Sequence, residues 1–287
     1  MADSLSSLIQ AVEAADSSSR LLEAVQNLAS AHLEGAIPTL IAALSYNNPG
    51  AAVAAVDGLI ALGEPAVPPL LEQLDCHNYT ARAWAIRALA GIGDPRGLIT
   101  LLGVATADFA LSVRRAAARG LGMMKWHWFP EQLLEIAQEE ALEALLFVAR
   151  QDEEWVVRYS AVVGLQSLAN AVRATHPEWR SQILSQLEQM ATNDSSWAVR
   201  ARVELAQQRL QTELEIQSTT AESPPSPLSA TDWQIILQKL YERKGAERHV
   251  LAEGDPRRYR ELAVAIAQPC ETASNLSSTS NVQFSDE

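Results

Sequence analysis

The residues of this chain whose types could hold a ligand are three arginines, Arg87, Arg115 and Arg119, and a set of rings, Trp84, Trp126, His127, Trp128 and Tyr159. A guanidinium presents a planar fork that matches a carboxylate, and indole and phenol rings offer faces for stacking. Together they suit a flat conjugated ligand that carries carboxylates. The stretch "KWHWFP" at 125–130 is the densest part of the set. His127 within it is the side chain that could titrate near neutral pH. No conventional machinery competes with this reading: the sequence has no Gly-rich phosphate loop, nucleophile elbow or HExxH. Glu139 and Glu140 in "AQEEALEALL" read as a solvated helix face.

These residues sit in a repeat. When "NNPGAAVAAVDGLIALG", "HNYTARAWAIRALAGIG", "FALSVRRAAARGLGMM", "EEWVVRYSAVVGLQSL" and "SSWAVRARVELAQQRL" are aligned, one column holds Ala52, Arg82, Arg114, Arg158 and Arg200. Three residues on come Ala55, Ala85, Ala117, Ala161 and Val203, and seven on Leu59, Leu89, Leu121 and Leu165, with Gln207 breaking the last. Small and large apolar residues at this spacing mark one buried helical stripe. Another apolar helix precedes each stretch, most starting at or just after a proline, as in "IPTLIAAL" and "AVPPLLEQL". The unit is a helical hairpin recurring every 30 to 44 residues or so, and hairpins that cannot bury an apolar face alone must stack. The expected fold is all-α, an α-solenoid of HEAT-like helical-hairpin repeats.

Asp108, Asp152 and Asp194 each lie six residues before a column arginine. A turn aspartate followed by an arginine on the next helix resembles the HEAT pattern, where such pairs form a ladder. Arg82, Arg114, Arg158 and Arg200 with Asp152 and Asp194 are the expected structural ladder. Trp84, Arg87 and Gly91 instead fall on the flank of their helix, at i, i+3 and i+7. Second helices of such repeats line a groove, which would bring these side chains together with Arg115, Arg119 and Tyr159. Trp155 and Trp197, three residues before their column arginines, divide evenly between packing and the groove.

Composition sets the outer limits. Hydrophobic residues make up 48% of the 287 and aromatics only 6%, an Ala- and Leu-rich content that favours helix over sheet. The net charge of −13 speaks against nucleic acid as a partner. Cys76 and Cys270 are too few for a disulfide framework or a zinc site. The N-terminus lacks the basic and apolar regions of a signal peptide, and no apolar run reaches the ~18 residues that a membrane span needs. The reading is of a cytoplasmic protein with no metal and no membrane insertion.

"NYTARAWAIRALAGIGDPRGLITLL", "DFALSVRRAAARGLG", "WVVRYSAVVGLQSL" and "WAVRARVELA" resemble the E subunit of the E/F-type phycobilin lyases of cyanobacteria, most closely the one serving the α-subunit of phycocyanin. The resemblance covers roughly residues 35–210 and includes Tyr79, Trp84 and Arg87. It implies an F-type lyase subunit as heterodimer partner, phycocyanobilin as the transferred substrate with no permanently bound cofactor, and a cysteine of the phycocyanin α-subunit as acceptor. The chemistry implied is addition of that thiol to the ethylidene group of the bilin's A ring. Free bilin reacts unaided but sloppily, so the task would be to hold one conformer and present one face. On this resemblance Arg87, Arg115 and Arg119 are candidates for the propionates, and Tyr79, Trp84, Trp126, Trp128 and Tyr159 for stacking. His127 or Asp108 is the candidate proton donor or acceptor at the pyrrole nitrogens. Cys76 is not expected to be the nucleophile.

The domain reading is a solenoid over 1–217, a Ser- and Pro-rich linker at 218–229, a helical segment at 230–268 and a disordered tail at 269–287. Helices are expected over "TDWQIILQKLYERKG" and from about Pro256 to Ala267; docking on the solenoid, partner contact and capping of the last repeat all stay open for this segment. Two other functions remain in play: a non-enzymatic repeat scaffold for a protein partner, and a lyase that also isomerises the bilin.

Overall fold

The computed structural model describes residues 2–72, 74, 78–215 and 229–250, all of whose regular elements are helical. A first hairpin, α1 (Ala2–Glu13) and α2 (Ser18–Ser30), precedes the repeats read from sequence. Five more follow: α3 (Ile37–Ala43) with α4 (Pro49–Leu62), α5 (Val67–Glu72) with α6 (Tyr79–Ile92), α7 (Leu98–Ala107) with α8 (Leu111–Gly122), α9 (Glu131–Gln151) with α10 (Trp155–Ala171), and α11 (Pro177–Asn193) with α12 (Trp197–Glu215). The even-numbered helices α2 to α12 pack in sequence against one another as an inner layer, while α1 to α11 form the outer layer. Val25, Leu28, Leu59, Leu89, Leu121 and Leu165 fill the seam between layers, so each hairpin buries its stripe against its neighbours.

Local chemistry starts each inner helix. Asn48 and Asn78 cap α4 and α6, each accepting a bond from the amide three residues on. In the later repeats an aspartate two residues before the N-cap accepts from its own turn: Asp108 from the Ala110 amide, Asp152 from Glu154 and Asp194 from Ser196. Gly93, at φ 68°, closes α6 in the left-handed conformation that glycine adopts without strain. The two inner helices α8 and α10 approach so closely that a Cβ on Gly122 would collide with the backbone of Gly164.

Charge then links repeat to repeat. Arg82 forks onto Asp108 through Nε (2.9 Å) and Nη2 (3.2 Å), Arg114 onto Asp152 (2.7 and 3.1 Å), and Arg158 onto Asp194 (2.7 and 3.0 Å). Each of these three arginines therefore reaches the aspartate of the following repeat. Its own repeat's aspartate offers only a carbonyl: Arg114 Nη1 donates to Asp108 O, Arg158 Nη1 to Asp152 O and Arg200 Nη1 to Asp194 O. Arg200 stands at the end of the series and lays its guanidinium over the Trp197 ring, 4.0 Å from the centroid. The fork from Asp152 raises the pKa of Arg114, and that from Asp194 raises the pKa of Arg158.

The C-terminal segment docks on the outer layer. Helix α13 (Ala230–Val250) packs against α7, α9 and the short 3-10 turn Pro95–Gly97. It buries Ile236 and Leu240, and Trp233 meets Phe129 with centroids 5.4 Å apart. Under it, Glu140 corrects the solvated-face reading: only 1% exposed, it accepts from Nε of Arg243 at 2.8 Å, and Arg243 is itself 4% exposed. The helical period could not reveal this, because the partner arrives from 103 residues away. The helix expected at 256–267, the tail at 269–287, most of the linker, Cys76 and Cys270 lie outside the described residues. No single helix among the described residues is long and apolar enough to cross a membrane; one pair passes on composition, Pro49–Leu62 with Glu64–Glu72, but is bent by 119°.

Three outcomes follow for stability. Asp152→Ala should cost about 3 kcal/mol in urea unfolding, because it strands the largely buried Arg114, whereas Asp152→Ala combined with Arg114→Met should cost much less than the two single changes summed. Burial pulls the Asp194 carboxyl upward, but the bonds from Arg158 and the Ser196 amide outweigh it and hold its pKa below the usual value. A depressed folded pKa stabilises above the unfolded carboxylate pKa, about 3.9, and that contribution is lost as pH falls through the folded value. Asp194→Asn should accordingly destabilise at neutral pH and flatten the loss of stability below about pH 4. Arg243→Met should free α13 first: limited proteolysis should cut within 229–250 while 2–215 stays resistant.

Candidate functional site, an arginine groove on the inner layer

Along the inner layer runs a groove of about 680 Å³ that crosses five helices, from Asp57 and Ile60 on α4 to Ala198 on α12. Arg87 on α6, Arg115 and Arg119 on α8, and Trp155 and Tyr159 on α10 supply its chemistry. The helical flank explains the placement: these residues lie off the stripe that holds Ala85, Ala117 and Ala161, so stacking the repeats aligns them in the open. Arg87, Arg115 and Arg119 make no ion pair with any described carboxylate, and all three are exposed. Arg87 rests on the face of Trp84, 5.4 Å from the ring centroid, which steadies its guanidinium without neutralising it. Asp57 is the single acidic residue in the lining.

Of the sequence candidates, the groove brings together Arg87, Arg115, Arg119 and Tyr159. Trp84 stands behind Arg87, partly buried against the core. Tyr79 opens α6, and its side chain lies outside the described residues. The aromatic loop is elsewhere. Trp126 is 8% exposed and packs on Phe129 (5.3 Å), which carries Trp233 of α13, so this cluster seats the C-terminal helix. Trp128 lies under the ammonium of Lys125, 4.0 Å away, and His127 stands edge-on to it, exposed. None of the three lines the groove. Asp108 does not line the groove: its oxygens accept from Arg82 and the Ala110 amide, which places it as a carboxylate of the ladder. Among the described residues no group of three or more His, Cys, Asp or Glu could hold a metal.

Sequence reasoning left out Asp57 and Met123 and did not decide on Trp155, which is 47% exposed and lines the groove. Trp155 was legible, since it lies four residues before Tyr159 on the same helix face. It also missed Arg202, whose side chain lies behind Tyr159 with its guanidinium carbon 6.0 Å from that ring. No spacing signal marks Arg202, because it stands beside the arginine column and not in it.

A solenoid of helical hairpins is a fold of the HEAT class, and residues 67–166 match the family model for HEAT repeats. The particular family comes from full-length relatives. The chain is 66% identical over 279 residues to the phycocyanobilin lyase subunit beta of Pseudanabaena tenuis, covering 93% of this chain and 99% of that one. It is 50% identical over 182 residues to the phycocyanin alpha phycocyanobilin lyase CpcF of Synechocystis, covering 63% and 85%. A solved complex of CpcE and CpcF of phycocyanin lyase from Nostoc contains a similar chain, with 51% identity and a TM-score of 0.55 over 60% of this chain and 98% of that one. The chain belongs to the family of phycocyanobilin lyase β subunits, the F type.

This corrects the assignment to the E subunit, and with it the expectation of an F-type partner. The reason is physical. The stretches that carried the resemblance are repeat columns and their flanks, which answer first to the stacking of hairpins. Both lyase subunits are expected to be helical-repeat proteins, so such stretches separate the two poorly.

Proposed function

We propose that this chain is the F-type half of a heterodimeric lyase that, with an E-type subunit, binds phycocyanobilin and attaches it through a thioether to a cysteine of the phycocyanin α-subunit, in the cytoplasm. The observation that carries the reading is the 66% identity maintained over 99% of a phycocyanobilin lyase β subunit. The reaction adds a thiol across a double bond. It therefore needs a held conformer and a chosen face more than a nucleophile of its own.

Within that reaction the groove is assigned to the carboxylates of the ligand. Phycocyanobilin carries two propionates on a conjugated, near-planar frame. Arg87, Arg115 and Arg119 are spaced over two adjacent helices without an ion pair to any described carboxylate, and Trp155 and Tyr159 offer ring faces on the next. Guanidinium forks take carboxylates well in such a partly desolvated surface. The groove's run across five helices also favours a second reading, in which acidic side chains of a protein partner lie along it.

The test is coexpression with an E-type subunit, apo α-phycocyanin and a source of phycocyanobilin, scored by covalent bilin fluorescence on the α-subunit after denaturing electrophoresis. Labelling should require this chain, give a red-absorbing adduct, and fall about tenfold or more when Arg87, Arg115 and Arg119 are all changed to Ala. Equal labelling without this chain would sink the lyase reading. Full labelling by the triple variant would leave the lyase standing and remove the groove from it.

A further inference from the structure

We propose that Arg202, with Arg119 beside it, forms a buried seat for a carboxylate at the α10–α12 end of the groove. The inference rests on the groove's assignment to a carboxylate-bearing ligand and says where such a group would be held most tightly.

Arg202 departs from the pattern of its neighbours. Arg82, Arg96, Arg114, Arg158 and Arg243 each donate to an aspartate or glutamate, while Arg180, whose Nε is likewise closed off without an acceptor, donates to the Leu210 carbonyl. Arg202 is 7% exposed, and its one acceptor among the described residues is the neutral side-chain oxygen of Gln166, 2.7 Å from Nη2. Nη1 is closed off from solvent and has no acceptor. The charged groups that act on it are Arg209 and Arg119, both cations, with Tyr159 alone in opposition. Burial, aided by those two arginines, pulls its pKa below the ordinary value. A guanidinium in this position lacks the counter-charge that makes burial tolerable.

Its place relative to the groove supplies the rest. Ala198 lines the groove, and Arg202 follows four residues later on the same face of α12. Tyr159 lines the groove and its ring centroid lies 6.0 Å from the guanidinium carbon of Arg202, which is not itself a lining residue. Arg119 lines the groove on the neighbouring helix α8 and lies close enough for its charge to act on Arg202. A carboxylate that enters past Tyr159, whose ring is 37% exposed, accepts from Nη1 and brings the missing negative charge between two arginines. Sites that trade stability of the empty protein for affinity commonly hold such unmet groups. The carboxylate is either a propionate of the small ligand or an acidic side chain of the partner subunit.

Arg202→Met keeps most of the length and apolar packing and removes the charge. The full chain with its E-type subunit is titrated with phycocyanobilin and with its dimethyl ester, followed by absorbance; subunit association and thermal unfolding are measured alongside. In the variant the free acid should bind roughly 10- to 100-fold more weakly, the ester should bind as it does to the unaltered protein, and the unliganded midpoint should not fall. Weakened subunit association with unchanged binding of the acid would support the seat and assign its carboxylate to the partner. A lower midpoint with acid binding and association both unchanged would overturn it, leaving Arg202 a structural residue. If the Arg87, Arg115 and Arg119 triple variant loses labelling while Arg202→Met changes neither binding nor association, the groove assignment stands and the seat falls; if the triple variant labels fully, both fall.

Discussion

Each ladder arginine belongs to one repeat and its carboxylate to the next, and on that staggered pairing the rest of the solenoid depends. Apolar stripes alone would let hairpins slide or rotate on one another, since the hydrophobic effect is non-directional. A bidentate guanidinium–carboxylate pair is directional and short. Because each aspartate also accepts an amide of its own turn, the pair ties the start of one inner helix to the first turn of the previous one. That fixes the helical phase from repeat to repeat. A fixed phase is what allows residues two inner helices apart, such as Arg87 and Tyr159, to share one surface.

The two layers then take different work. Along the inner layer the flank positions stay uncovered, and the arginines there are left without described counter-charges. The outer layer is where the chain covers itself, with α13 laid over α7 and α9 through Trp233, Ile236, Leu240 and the Glu140–Arg243 pair. A buried pair of this kind contributes little net stability against an apolar equivalent, but it penalises every register in which the charges do not meet. It therefore places α13 more than it holds it. The aromatic loop at 126–129 belongs to this arrangement, which is why its rings are spent on packing.

Most of the architecture was legible in the sequence, because a repeat writes the same physical constraint several times. Ala85, Ala117 and Ala161 at equivalent places leave little doubt that they face a neighbouring helix, and Asp152 before Arg158 repeats Asp108 before Arg114. What one repeat cannot state is which copy pairs with which; the across-repeat direction of the ladder needed coordinates. The groove was half legible. Helical phase marked Arg87, Arg115, Arg119 and Tyr159 as off the stripe, but phase says nothing of a loop, so Trp126, His127 and Trp128 were grouped with them on composition alone. Contacts distant in sequence, Glu140 with Arg243 above all, leave no periodic trace. Nor does subunit type, which the identity to whole β subunits decides and the repeat pattern does not.

The contrast between Arg202 and the ladder arginines bears on how such a groove acquires function. In a −13 chain, carboxylates are plentiful, and three of them are already placed to meet column arginines. Arg87, Arg115, Arg119 and Arg202 lie within the same layer and are paired with none of them, although an acidic residue one turn away would cost little to place. An internal carboxylate at these positions would compete with any incoming one, and the net gain from binding would be the difference between two similar salt bridges. Leaving the cations unmet removes that competition, at the expense of some stability in the empty protein. The ladder offsets that expense, since it holds the helices in phase through pairs that do not involve the groove. Rigidity from one set of arginines thus permits another set to remain available, and the difference in helical phase between column and flank is what keeps the two sets apart.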